Sequence, residues 1–136
     1  MQDDQARAGE RVLVVEDDPE YLNYLRLRLG ADGWEVHTAT DGGAALALLS
    51  SQPCDALICD LHMPGVDGLE LCRRVRADPR HHALPVMVLS GADESAAVGD
   101  VVGLGHVWYV RKGTSHERLR RTLRHLLDSA LPQPVR

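Results

Sequence analysis

Asp60 closes a short apolar run, Ala56 to Cys59, and the residues after it, His62 to Gly65 (HMPG), cannot continue a strand and must turn. Three other apolar runs of this 136-residue chain end in the same manner. Arg11–Val15 leads into Glu16 and Asp17, Pro85–Leu89 into Ser90 and Gly91, and His106–Val110 into Arg111 and Lys112. An acid pair, a single acid, a hydroxyl and a lysine therefore stand at the ends of four runs. One exposed acid on a loop serves solubility; one chemically capable group at each of four strand ends implies a shared pocket. Carboxylates gathered together repel one another, so a positive charge must sit among them. A hard divalent cation answers this, and Mg2+ (or Mn2+) binds through one or two carboxylates while keeping waters and phosphate oxygens. Lys112 adds a point charge suited to a phosphoryl group. These are parts for moving a phosphoryl group onto a carboxylate, a reaction governed by positioning and charge neutralisation.

The remaining elements must carry those ends to one place. Arg11–Val15 and the other runs are continuous apolar stretches, as expected of parallel strands buried on both faces. Asp18 and Pro19 supply a cap and first turn for a helix running to about Gly30, with Leu22, Leu25 and Leu29 on one face. Trp34–Thr38 reads as the second strand, and Asp41-Gly42-Gly43 opens an Ala/Leu helix to about Ser51. A helix over Gly68–Ala77 follows the Asp60 turn, and Asp78-Pro79 stops it. Asp93–Gly105 reads as a short helix weakened by Gly99, Gly103 and Gly105. Thr114 or Ser115 caps the last helix, Glu117 is placed for a capping box, and Leu119, Leu123, Leu126, Leu127 and Ala130 form its buried stripe. Strand and helix alternate five times at lengths suited to right-handed crossovers. The expected fold is α/β: a doubly wound, five-stranded parallel sheet, a flavodoxin-like (βα)5 sandwich. Its boundaries are a frayed lead over residues 1–10, one domain over 11–130 and a proline-bearing tail or linker over 131–136. Ligands of such sheets bind beyond the carboxyl ends of the strands, where the polar groups collect.

Composition narrows the function further. A length of 136 residues suits one domain, and 44% apolar residues permit a real core. The net charge of −5, with both signs interspersed, argues against direct nucleic-acid binding; the run Arg118–Arg124 reads as the wet face of a helix. Three cysteines, Cys54, Cys59 and Cys72, form no CxxC pair and suit reduced core thiols. The seven histidines lack zinc-ligand spacing. No apolar run reaches membrane-spanning length and no charged-then-apolar signal opens the chain, so a cytoplasmic location is expected. E-D-D-P after the first strand would repel phosphate where a P-loop or dinucleotide fingerprint would cradle it. A phosphatase of the haloacid-dehalogenase type needs a second Asp at the position of His62 and a cap domain.

Four segments together, V-L-V-V-E-D-D-P from Val12, D-L-H-M-P-G-V-D-G-L-E from Asp60, P-V-M-V-L-S-G from Pro85 and Y-V-R-K ending at Lys112, resemble the receiver domain of response regulators. The intervals from Asp60 to Ser90 and from Ser90 to Lys112 match that family, and the likeness runs from about Arg11 to Ala130. The resemblance implies a phosphoacceptor of two-component signalling rather than an enzyme. Asp60 would receive the phosphoryl group from a histidine kinase or histidine phosphotransfer protein. Asp17, Asp60 and the backbone carbonyl of His62 would bind Mg2+, with Glu16 acting mainly through a coordinated water. Lys112, Ser90 and Gly91 would border the phosphoryl group, and Ser90 with Tyr109 would switch a face read by an unknown downstream protein or output domain. The fourth helix, fifth strand and last helix would offer a face for homodimer formation on phosphorylation. The alternative is a degenerate receiver acting as a phosphorylation-independent scaffold. Gly113 stands where the family usually has a proline after a cis bond. His62, two places beyond the acceptor, is placed to shield the phosphoryl group or steer water to it. Trp108 is either core or part of a partner surface.

Overall fold

In the computed structural model the structure describes residues 4–91, 99 and 103–129. Five strands form one parallel sheet: β1 (Arg11–Val15), β2 (Glu35–Ala39), β3 (Ala56–Asp60), β4 (Val86–Ser90) and β5 (Val107–Arg111), in the order β2-β1-β3-β4-β5. The described helices are α1 (Pro19–Ala31), α2 (Gly42–Ser51), α3 (Gly68–Ala77) and α4 (His116–Asp128). The order reverses between β1 and β3, so the crevice of this doubly wound sheet opens beside Glu16, Asp17 and Asp60. The helix expected over Asp93–Gly105 falls largely outside the described residues, as do Ala130 and the tail.

Strand side chains alternate between the two faces. On β1, Leu13 and Val15 join the cluster that includes Leu49, Leu71 and Val75 of α2 and α3. Val12 and Val14 join the opposite cluster with Leu25 and Leu29 of α1 and Leu119, Leu123 and Leu126 of α4. All residues of β3 and β4 are buried, which explains their unbroken apolar runs. Each fully buried leucine contributes about 2 kcal/mol of burial free energy, so these two layers fix the sheet and hold its carboxyl edge rigid.

Several boundaries shift by a residue. The strands end on Ala39, Asp60, Ser90 and Arg111, because the last residue of each still completes the ladder; Asp60 and Ser90 are buried there, whereas Arg111 is exposed. Trp34 precedes β2: its N–H bonds Leu29 within the turn closed by Gly33 (φ +102°), so the strand starts at Glu35. Ser115, not Thr114, caps α4, accepting from the Arg118 N–H. The position for a capping-box acid is then Arg118, and Glu117 pairs instead with Arg121 at 3.2 Å. Leu127 is only partly buried.

Two expectations fail for one reason. Arg124, assigned to a wet face, is 3% exposed. It holds both oxygens of Glu10 at 2.7 and 2.8 Å, Asp128 at 2.9 Å and the Gln5 carbonyl at 3.1 Å. The part of that lead that the structure describes is thereby strapped down from Gln5 to Glu10: Arg7 pairs with Asp128, and the Ala6 N–H donates to the Asp32 carbonyl. The two tryptophans occupy opposite edges of the sheet. Trp34, 3% exposed, donates its indole N–H to Glu10 at 3.2 Å. Trp108 of β5 is half-buried against the α1–α4 core layer, with its ring edge-on to His125 at 6.3 Å.

Candidate functional site

Each group in the crevice is delivered by a strand end and fixed by its backbone. Glu16 extends the β1 ladder through its N–H to the Ala39 carbonyl at 3.1 Å, and its side chain is fully buried. One Glu16 oxygen accepts the Asp18 N–H at 2.9 Å, which ties the acid to the cap of α1. Asp17 is exposed at the mouth. Asp60, 5% exposed, ends β3 and accepts the His62 N–H at 3.3 Å with Oδ1. The His62 side chain lies exposed beside it.

Glycine makes the turn after Asp60 possible. A Cβ on Gly68 would lie 2.3 Å from the Asp60 carbonyl oxygen and 2.7 Å from the Leu61 Cα. Its N–H also donates to the Leu61 carbonyl at 2.9 Å, so the first turn of α3 is seated directly on the backbone that carries Asp60. Gly42 does the same for α2, where a Cβ would meet the Val66 carbonyl oxygen at 2.5 Å.

Carboxylate oxygens of Glu16, Asp17 and Asp60 all lie within 4.8 Å of one another. Lys112, placed by its N–H bond to the Ser90 carbonyl at 2.8 Å, sets its ammonium 2.9 Å from both Glu16 and Asp60. The Lys112–Gly113 bond is trans, and Gly113 takes φ +88°. Burial alone would push the lysine's pKa down, but its bonds to the two carboxylates outweigh that and leave it raised. Burial raises the pKa of Glu16, reinforced by the charge of Asp60 and opposed by the Asp18 N–H and Lys112. Three carboxylates against one ammonium leave negative charge uncompensated when all are ionised. Hard oxygen donors gathered around surplus negative charge fit a divalent cation such as Mg2+ or Mn2+ better than any soft metal.

The structure therefore brings together Glu16, Asp17, Asp60 and Lys112. Ser90 is fully buried at the end of β4, and its hydroxyl donates to the Gly91 carbonyl at 3.4 Å. Tyr109 lies on β5 opposite Val88, 41% exposed on the surface. One neighbour of the site escaped sequence reasoning: Tyr21 of α1, whose ring lies 5.2 Å from the Lys112 ammonium. Its position three residues past the α1 cap carries no local signal, since its partner belongs to the far end of the chain.

The family model for the response regulator receiver domain matches residues 12–124. Response regulator MprA of Mycobacterium avium is 36% identical over 123 residues, covering 90% of this chain and 53% of that protein. The chain thus spans about half the length of the curated relatives it matches. Among solved structures, a putative response regulator from Chloroflexus aurantiacus superposes with a TM-score of 0.83 at 33% identity, covering 88% of this chain and 98% of that one. Response regulator TrrA of Thermotoga maritima, solved with Mg2+ and BeF, gives 0.76 at 27% identity, covering 86% and 98%. Among the described residues, no helix is long and apolar enough to cross a membrane.

Proposed function

Since the chain belongs to the response regulator receiver family, we propose that Asp60 is its phosphoacceptor and that the phosphoryl group comes from a histidine kinase or histidine phosphotransfer protein. The observation that carries this reading is the meeting of Glu16, Asp17 and Asp60 around a single crevice with Lys112 joined to two of them. In the transfer, the phosphorus–nitrogen bond of the donor histidine breaks as a phosphorus–oxygen bond to Asp60 forms. Asp17 and Asp60 would hold Mg2+ or Mn2+ directly, with the His62 carbonyl as a further ligand and Glu16 acting mainly through a coordinated water; the cation would neutralise charge on the transferring oxygens. Lys112 pairs with the Asp60 carboxylate beforehand and with a phosphoryl oxygen afterwards. Gly91, without a side chain, leaves the approach beside Ser90 open.

The buried Ser90 hydroxyl, held by a long bond to Gly91, turns to a phosphoryl oxygen and vacates space beside β5. Tyr109 then moves inward from its exposed position. Phosphorylation in this way biases a two-state face on β5 that a downstream protein, an output domain or a second copy reads. The setting is the cytoplasm, with no direct nucleic-acid or membrane contact. A phosphorylation-independent scaffold would gain nothing from burying Glu16 against Asp60, where the two acids oppose each other's ionisation.

Incubation with acetyl phosphate and Mg2+ tests the proposal by intact-protein mass. One hydroxylamine-labile phosphoryl group is expected per chain, absent from Asp60→Asn and after chelation of the metal. Failure of the wild-type chain to incorporate phosphate under these conditions overturns it.

A further inference from the structure

Lys112 sits at the end of a flexible stem, and its head must stay aimed at the crevice while the charge on Asp60 changes. Glu16 and Asp60 hold the ammonium from one side, each at 2.9 Å. The Tyr21 ring presents its electron-rich face at 5.2 Å and partly covers a lysine side chain that is 31% exposed. The residue beyond it contributes no packing of its own, because Gly113 takes φ +88° and a Cβ there would meet nothing within 4 Å. Tyr21 is in turn braced by Tyr24, stacked with centroids 6.0 Å apart and planes 13° apart.

We propose that Tyr21 is the positioning residue for Lys112, holding the ammonium over Asp60 through its ring face. The inference rests on the phosphoacceptor reading of Asp60. The two carboxylates alone would pull the lysine inward, and phosphorylation would remove one of them. A neutral π face attracts the cation without competing for the phosphoryl group, so it serves equally before and after transfer.

The test is a double-mutant cycle on the initial rate of phosphorylation by acetyl phosphate, with Mg2+ affinity measured in parallel. Tyr21→Leu is expected to slow phosphorylation about fivefold, the size of one partly desolvated cation–π contact, while Mg2+ affinity is retained. Tyr21→Phe, which keeps the ring, recovers most of the loss. In a Lys112→Met background the Tyr21→Leu change has no further effect. A wild-type rate in Tyr21→Leu, or an equal loss in the Lys112→Met background, overturns the proposal. Absence of phosphorylation in the wild-type chain would instead refute the phosphoacceptor reading itself.

Discussion

Glu16 shows at the scale of one residue how function opposes stability. Burial makes it a weaker acid in the fold than in the unfolded chain. The folded state then binds the proton more tightly, so stability declines as pH rises from the unfolded value of 4.5 through the raised one. Lys112 acts in a different window: its raised pKa stabilises the fold up to the unfolded value of 10.5, and that contribution is lost as pH climbs further. Glu16→Gln removes the buried charge that opposes Asp60. In chelator it is expected to unfold at higher temperature, with a gain on the order of 1 kcal/mol. Adding Mg2+ at ten times its Kd should stabilise the wild-type chain by about 1.4 kcal/mol and the variant by less. Thermal unfolding with and without chelator reads both effects. Glu16, Asp60, Ser90 and Lys112 were legible as chemistry because each stands where an apolar run stops. Tyr21 was not, because an aromatic on a helix ordinarily signals packing and its charged neighbour is remote in sequence.

At the scale of elements, the seating of α3 on β3 is what aims the Asp60 carboxylate. Adding a methyl at Gly68 drives it into backbone atoms of Asp60 and Leu61, and neither can yield without moving the carboxylate. Gly68→Ala is expected to cost on the order of 1–3 kcal/mol in urea unfolding and to slow phosphorylation of Asp60 in the same protein. Gly30 near the end of α1 is the contrasting case, where an added methyl would meet nothing within 4 Å. Gly30→Ala should raise stability by about 0.5–1 kcal/mol and leave phosphorylation alone. Element order and type followed from apolar runs punctuated by Asp18-Pro19, Asp41-Gly42 and Asp78-Pro79. The α4 cap fell one residue later than the capping-box pattern suggested. Two adjacent hydroxyl residues compete there, and Ser115 places His116 where it bonds Asp32 at 2.6 Å.

For the molecule as a whole, the network around Arg124 joins the lead, Trp34 and α4 through partners separated by most of the chain. No local pattern foretells a contact between Glu10 and Arg124, which is why the lead looked loose and the arginine looked wet. Arg124→Met strands Glu10 and Asp128 and is expected to lower stability by about 1–3 kcal/mol at neutral pH, discounted because Asp128 is 43% exposed. Burial raises the pKa of both acids, but their bonds with Arg124 prevail and leave both lowered. Their contribution is complete above the unfolded values of 4.5 and 3.8 and disappears as pH falls, so the gap between variant and wild type narrows in acid. Urea titrations at neutral and acid pH measure it. The separation of the two indoles across the sheet makes the chain its own optical instrument. Emission from sealed Trp34 should follow unfolding alone, whereas Trp108, beside Tyr109 on β5, should change its emission when acetyl phosphate and Mg2+ are added if the proposed switch operates, supplying a label-free clock for it.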